Sequence, residues 1–186
     1  SATPARLKLS GLQAWLPSTA PTSTAFFGVD RSIDSTRLGG QRKTYTGVPM
    51  QEAVVKAASL VAREGGTPDY CFMDFSKYSD LENSLGSKVQ YIDMKINAEI
   101  AFRGIRINGP KGEINVVPDQ NCPSGSFFML QMDTWKLYTL GKNLRIFDTD
   151  GLSMLRQSSE DGLTGRAYYY GNVGCRGPGW NLNGTW

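Results

Sequence analysis

The chain has 186 residues, 40% of them hydrophobic, enough for one compact domain or for one domain with a smaller appended lobe. Its 20 basic and 17 acidic residues leave a net charge of +3 without a block of like charge, and no apolar run reaches the roughly 18 residues of a membrane span. Histidine is absent, which excludes Ser-His and Cys-His nucleophile pairs and every histidine-containing metal site.

The N-terminus, Ser1-Ala2-Thr3-Pro4, lacks the charged-then-apolar order of a signal peptide, so a soluble, unexported chain is expected. Residues 1–47 do not read as a packed unit. A short apolar stretch, Gly11 to Leu16, precedes the Pro/Ser/Thr segment from Pro17 to Thr24, which favours extended backbone. Phe26-Phe27-Gly28-Val29-Asp30-Arg31 offers an aromatic anchor, and Gly39-Gly40 lies among the cations Arg37 and Arg42. Arms of this kind need another surface to lie on. The clearest helix runs from Pro49 to Glu64, where Ala53, Val54, Ala57, Leu60 and Val61 form one apolar stripe. Gly65-Gly66 and Pro68 stop it. Tyr70–Met73 reads as a buried strand, and Ser79-Asp80-Leu81-Glu82 has the spacing of a capping box for a second helix ending before Gly86.

Beyond Val89 the pattern turns to strands. Alternation through Ile105 and Ile107, a turn at Gly109-Pro110-Lys111-Gly112, and a second alternating run through Ile114 and Val116 predict a hairpin. Phe127–Leu130 reads as a strand, and Asp133 as the cap of a short helix through Trp135 and Leu137 to Gly141. Leu144–Phe147 and Leu152–Arg156 flank Asp148-Thr149-Asp150-Gly151 as a further hairpin. Thr164 to Cys175 forms a last strand-like stretch. The whole is α+β, with helices early and strands late.

The search for chemistry comes up empty. Gly109-Pro110-Lys111-Gly112 lacks the spacing and following helix of a phosphate loop, and Asp148-Thr149-Asp150-Gly151 lacks the acidic ligand of a calcium loop, since Ser159 occupies position twelve. Glu160-Asp161 and Asp148/Asp150 are the closest carboxylate pairs and read as solvated loops. Cys71, Cys122 and Cys175 form no Cys-x-x-Cys pair and suit a reduced setting. Cys71 is expected in the core, and Cys122 in an exposed loop with no activating base. No catalytic residue, cofactor site or metal site is assigned. Arg37, Arg42 and Lys43 are weak candidates for nucleic-acid contact in a chain of pI about 8.8 without a basic stripe. Tyr168-Tyr169-Tyr170 fits core and interface packing better than base stacking.

Several phrases, in order and spacing, carry a resemblance. They are Phe26-Phe27-Gly28-Val29-Asp30-Arg31-Ser32 with Thr36-Arg37-Leu38-Gly39-Gly40; Glu64-Gly65-Gly66-Thr67-Pro68-Asp69; Phe102-Arg103-Gly104-Ile105; Asp133-Thr134-Trp135-Lys136-Leu137; and Cys175-Arg176-Gly177-Pro178-Gly179-Trp180-Asn181. Together they resemble the major capsid proteins of tailed bacteriophages (Caudovirales). The resemblance implies the Johnson-type fold shared with encapsulin compartments: an axial domain plus a peripheral domain. It implies an extended segment over 1–47, an axial-type α+β domain over 48–143, and returning peripheral strands with the C-terminal segment over 144–186. Family subunits are longer, so the chain is expected to correspond to their C-terminal part. The implied function is a structural subunit, not an enzyme, of an icosahedral virion capsid made in the host cytoplasm. It would join pentamers and hexamers enclosing double-stranded DNA through weak non-specific contact, with no membrane or small-molecule partner. Trp15, Phe26, Phe27, Arg37 and Arg42 are the expected subunit-contact residues. An encapsulin-like compartment subunit and a carboxylate-dependent hydrolase are the alternatives.

Overall fold

The computed structural model describes residues 9–85, 91–96, 100–141, 145–146, 154–156, 161–165 and 167–186. The chain packs as two compact units, one of residues 11–135 with 175–186 and one of residues 1–10 with 136–174. The larger unit draws on all three spans suggested by the sequence.

The larger unit begins with a four-residue helix, α1 (Leu12–Trp15), and a short strand, β1 (Gln41–Thr44). Helix α2 (Met50–Arg63) follows Pro49, whose carbonyl accepts the Ala53 N–H at 2.9 Å. Ala53, Val54, Ala57, Ala58 and Val61 are its buried face. Its end is a glycine cap: Gly65 has φ 96°, and the Gly66 N–H returns to the Val61 carbonyl at 3.1 Å. Strand β2 (Tyr70–Met73) runs into helix α3 (Phe75–Leu85), which buries Tyr78 and Leu81. Strands β3 (Tyr91–Ile96), β4 (Ile100–Gly109), β5 (Gly112–Pro118) and β6 (Ser126–Leu130) come next, and β13 (Leu182–Thr185) closes the unit.

These strands form one seven-stranded mixed sheet in the order β1-β13-β6-β2-β5-β4-β3. β1/β13 and β2/β5 pair in parallel, while β13/β6, β2/β6, β4/β5 and β3/β4 pair antiparallel. The expected hairpin is present, with Gly109 opposite Gly112. Side-chain alternation then divides two cores. Cys71, Met73, Phe127, Met129 and Leu182 join the α2 and α3 side chains in the main one. Phe128 and Leu130 point the other way, onto Leu16 and Cys122, with Phe72, Trp15 and Trp135 alongside. β6 is thus buried on both faces, the pattern of a central strand.

Several expectations need correction. The segment ahead of α2 does not wait for a foreign surface: Leu16 is fully buried, and the Asn183 side-chain amide donates to its carbonyl at 2.7 Å. α3 starts at Phe75, with the Tyr78 N–H on the Asp74 carbonyl, so Ser79 lies inside the helix and caps nothing. The reason is that β2 turns directly into α3, which sets Tyr78 and Leu81 on the core three residues apart. Residues 135–141 are not helical. A single 3-10 turn (Met132–Thr134) gives way to strand β7 (Trp135–Thr139). Cys122 is buried, with its Sγ 3.3 Å from the Ser126 carbonyl.

The smaller unit consists of two-stranded ladders. β7 pairs with β12 (Gly171–Cys175), β8 (Arg145–Ile146) with β11 (Ala167–Tyr168), and β9 (Met154–Arg156) with β10 (Leu163–Gly165). β8 and β9 therefore do not pair with each other as the expected hairpin required, because each finds its partner further along the chain. The intended turn, Asp148 to Gly151, lies outside the described residues, as does Glu160. Thr164–Cys175 is broken into three short strands. Leu137, Tyr138, Leu140, Ile146, Met154 and Leu163 are each more than half exposed.

Candidate subunit-contact surface

The residues expected to make contacts separate into three local settings, all in the larger unit. In the first, the chain turns back at Phe26–Val29: the Phe26 N–H donates to the Val29 carbonyl at 2.9 Å and the Val29 N–H to the Phe26 carbonyl at 3.1 Å. Both central residues have positive φ, 51° at Phe27 and 81° at Gly28, as tight hairpin turns require. For a residue with a Cβ the left-handed conformation costs about 1–2 kcal/mol, so Phe27 is held there by its surroundings. Its ring stacks on Trp15 at 5.7 Å and meets Phe26 edge-on at 4.6 Å. Trp15 also meets Phe26 at 5.0 Å and Trp135 at 6.4 Å, both edge-on. Trp15, Phe26 and Phe27 thus form one aromatic cluster, with Phe27 half exposed at its tip.

Arg31, not singled out from the sequence, organises this cluster. Its Nη1 donates to the Ala14 carbonyl at 2.8 Å and the Trp15 carbonyl at 3.2 Å, and its guanidinium lies 4.1 Å above the Phe26 ring. One cation therefore caps the end of α1 and holds the turn against it. Burial lowers its pKa from the usual arginine value. The sequence signal was its position four residues after Phe27, in a phrase read for its aromatics.

Arg42 has an internal role. Its Nη2 donates to the carbonyls of Ser35 at 2.6 Å, Gly40 at 3.0 Å and Gly39 at 3.2 Å. Burial, and secondarily the charge of Arg31, lowers its pKa. Arg37 behaves differently: its side chain is 79% exposed, with Nε 3.7 Å from the Asp34 carboxylate. That carboxylate accepts the Arg37 N–H and the Thr36 hydroxyl, each at 2.9 Å, and these bonds lower its pKa. Asp30 is lowered likewise by the Ser32 hydroxyl and N–H.

Among the described residues of this unit, two clefts bear on these side chains. A groove of about 430 Å³ runs between α1 and the sheet, walled by Leu12, Phe72, Cys122, Pro123 and Phe128. A second cleft of about 440 Å³ brings Arg37 together with Glu64, Arg176 and Trp180. Each holds a single carboxylate, Asp119 in the first and Glu64 in the second, so neither supplies the paired acids of a carboxylate-dependent hydrolase. Burial raises all three thiols; Cys122 reaches about 12, with the Asp119 and Asp74 charges adding to the effect. Among the described residues no group of His, Cys, Asp or Glu is placed to hold a metal ion, and no helix is long and apolar enough to cross a membrane.

The family described as SU10 major capsid protein matches residues 1–173. No curated protein sequence gives a significant match. The match runs through the aromatic cluster, all three α-helices and six of the seven strands of the large sheet, and on into the ladders of the smaller unit. With that extent of agreement, the chain belongs to the phage major capsid protein family.

Proposed function

We propose that this chain is a structural, non-enzymatic shell subunit whose copies associate into pentamers and hexamers of an icosahedral phage capsid around double-stranded DNA. The match to the capsid family over residues 1–173 carries this reading. In it, the chain has a Johnson-type fold. The seven-stranded unit, which includes residues 11–47, would take the axial place, and the ladders of residues 136–174 the returning peripheral strands. The exposed apolar side chains of the ladders support such a role, since apolar surface of this kind marks interaction sites. Association would rest on many modest contacts between like subunits, closed by symmetry.

Negative-stain electron microscopy of the complete reading frame tests the proposal. Uniform closed shells are expected, with nuclease-protected DNA inside native particles. Shells loaded with protein cargo would favour a compartment instead, and dispersed monomers across a range of salt would overturn the reading. Trp15, Phe26 and Phe27 are proposed as an interface anchor, with Phe27 as the exposed contact. Replacing Phe26 and Phe27 together by alanine should leave the circular-dichroism spectrum unchanged and reduce shell yield. Normal shells from that variant would refute the anchor.

A further inference from the structure

The cleft that gathers Arg37, Arg176 and Trp180 is built differently from the aromatic cluster. Both arginines have fixed backbones and exposed side chains. The Arg37 carbonyl accepts the Gly179 N–H at 3.1 Å, its N–H binds the Asp34 carboxylate at 2.9 Å, and the Arg176 N–H binds the Thr134 carbonyl at 2.9 Å. Glycine eases the approach at 179, where an added Cβ would stand a tight 3.0 Å from the Arg37 Cα. Trp180 is seated just as closely. Added Cβ atoms at Gly66 and Gly177 would lie 3.1 Å and 2.7 Å from it, and one at Gly65 would face its Nε1 at 3.8 Å. Trp180 is nevertheless 44% exposed. The cleft thus presents two exposed guanidiniums beside a seated indole: Arg37 Nε lies 3.7 Å from the Asp34 carboxylate and Arg176 Nη2 donates to the Asp133 carbonyl at 3.5 Å, which leaves the other N–H groups of each fork to an acceptor from outside.

The chemistry selects the acceptor. Guanidinium forks match the plane of a carboxylate. Glu64 also lines the cleft, so an anion of one charge meets less repulsion there than a polyanion laid across it. The family reading supplies many copies of this chain at high local concentration. Of the ion-paired carboxylates among the described residues, Asp161 is the most exposed, at 96%, and its pairing with Arg156 is a single 3.3 Å contact between two exposed side chains. Such a pair contributes about 0–1 kcal/mol and is readily exchanged.

We infer that the Arg37–Arg176–Trp180 cleft is a carboxylate-docking site that receives Asp161 of a second copy of this chain; this rests on the shell-subunit reading. The site then fixes the register of one subunit on the next through a charged contact, separate from the apolar contact of Phe27.

Two experiments test it. In the complete reading frame, the double variant Arg37→Glu with Arg176→Glu should cut shell yield at least about tenfold, as loss of a docked charge pair does, with an unchanged melting profile. Adding Asp161→Arg to that background should restore shells. Normal yield from the double variant, or no rescue by Asp161→Arg, overturns the inference. So does a variant that forms shells of normal yield but loses nuclease-protected DNA, which would assign the cleft to nucleic acid. The second experiment does not depend on shells: a synthetic peptide of residues 157–163 is titrated into the full chain by calorimetry. Saturable binding is expected, lost when Asp161 in the peptide is replaced by asparagine and in the Arg37→Glu/Arg176→Glu chain. Absence of binding overturns the docking site even if shells form, whereas binding without shells would retain the site and remove the capsid reading.

Discussion

Asn181 shows how one buried polar side chain can hold several segments together. It is fully buried, and its Oδ1 accepts the Gln131 N–H and the Trp135 indole N–H, both at 2.9 Å. Its Nδ2 donates to the Gly177 carbonyl at 2.8 Å and the Thr134 hydroxyl at 3.2 Å. One amide therefore ties the 3-10 turn, the start of β7 and the C-terminal segment. Asn181→Ala would orphan two donors and a carbonyl away from water. At roughly 1–3 kcal/mol for each unsatisfied group, partly relieved by relaxation, the expected loss is about 3 kcal/mol in urea unfolding. A loss below about 1 kcal/mol would mean that the segments are held by packing instead. Nothing in the sequence distinguishes this asparagine from Asn183 two residues on, because its partners lie 46 and 50 residues away.

At the scale of elements, the lesson lies in β13. Leu182-Asn183-Gly184-Thr185 has neither a run of β-branched residues nor a length that announces a strand. It becomes one because β1 and β6 flank it with open ladders, and its alternation then fits both faces: Leu182 meets the helices and Asn183 meets Leu16. Gly184, opposite Phe127, leaves room for that fully buried ring, which sits against Trp186 at 4.7 Å and Tyr45 at 5.7 Å. An alanine Cβ at 184 would overlap the ring. Gly184→Ala should therefore destabilise by about 2 kcal/mol, a typical cost of overpacking. Gly165→Ala, in β10 with open space around it, should stay within about 0.5 kcal/mol. Thermal denaturation of the two variants decides it, and equal melting points would deny Gly184 its packing role.

For the whole molecule, the buried acidic groups set an alkaline limit. Tyr45 lies in the main core, and burial pushes its phenol up to about 12. Below about pH 10 the phenol is neutral in both states and its contribution is fully present. Between about pH 10 and 12 the unfolded chain releases the proton and the folded one keeps it, so each unit removes up to about 1.4 kcal/mol. The raised Cys122 thiol, ordinarily near 9, acts in the same direction from a lower starting pH. Urea midpoints should fall as pH rises through this window, and Tyr45→Phe should make the fall shallower. An unchanged slope in Tyr45→Phe would place the titration elsewhere.

The sequence by itself determined what depends on neighbours within a turn or two. α2 and its glycine stop, β2, β6 and the Gly109–Gly112 hairpin follow from apolar period, cap chemistry and turn residues, which act locally. The α+β class follows from the sum of these elements, and the ordered phrases from Phe26 to Trp180 pointed to the capsid family that the match over residues 1–173 then established. The tertiary structure alone decided which strands pair, since a ladder's register depends on residues far apart in the chain. That is why Trp135–Thr139 is a strand beside Gly171–Cys175, and why β8 and β9 take different partners. It also decided the uses of the arginines. Arg31 and Arg42 turn inward to carbonyls that the fold brings to them, while Arg37 stays exposed beside Arg176, because a cation's role is set by the acceptors around it and not by its place in the sequence.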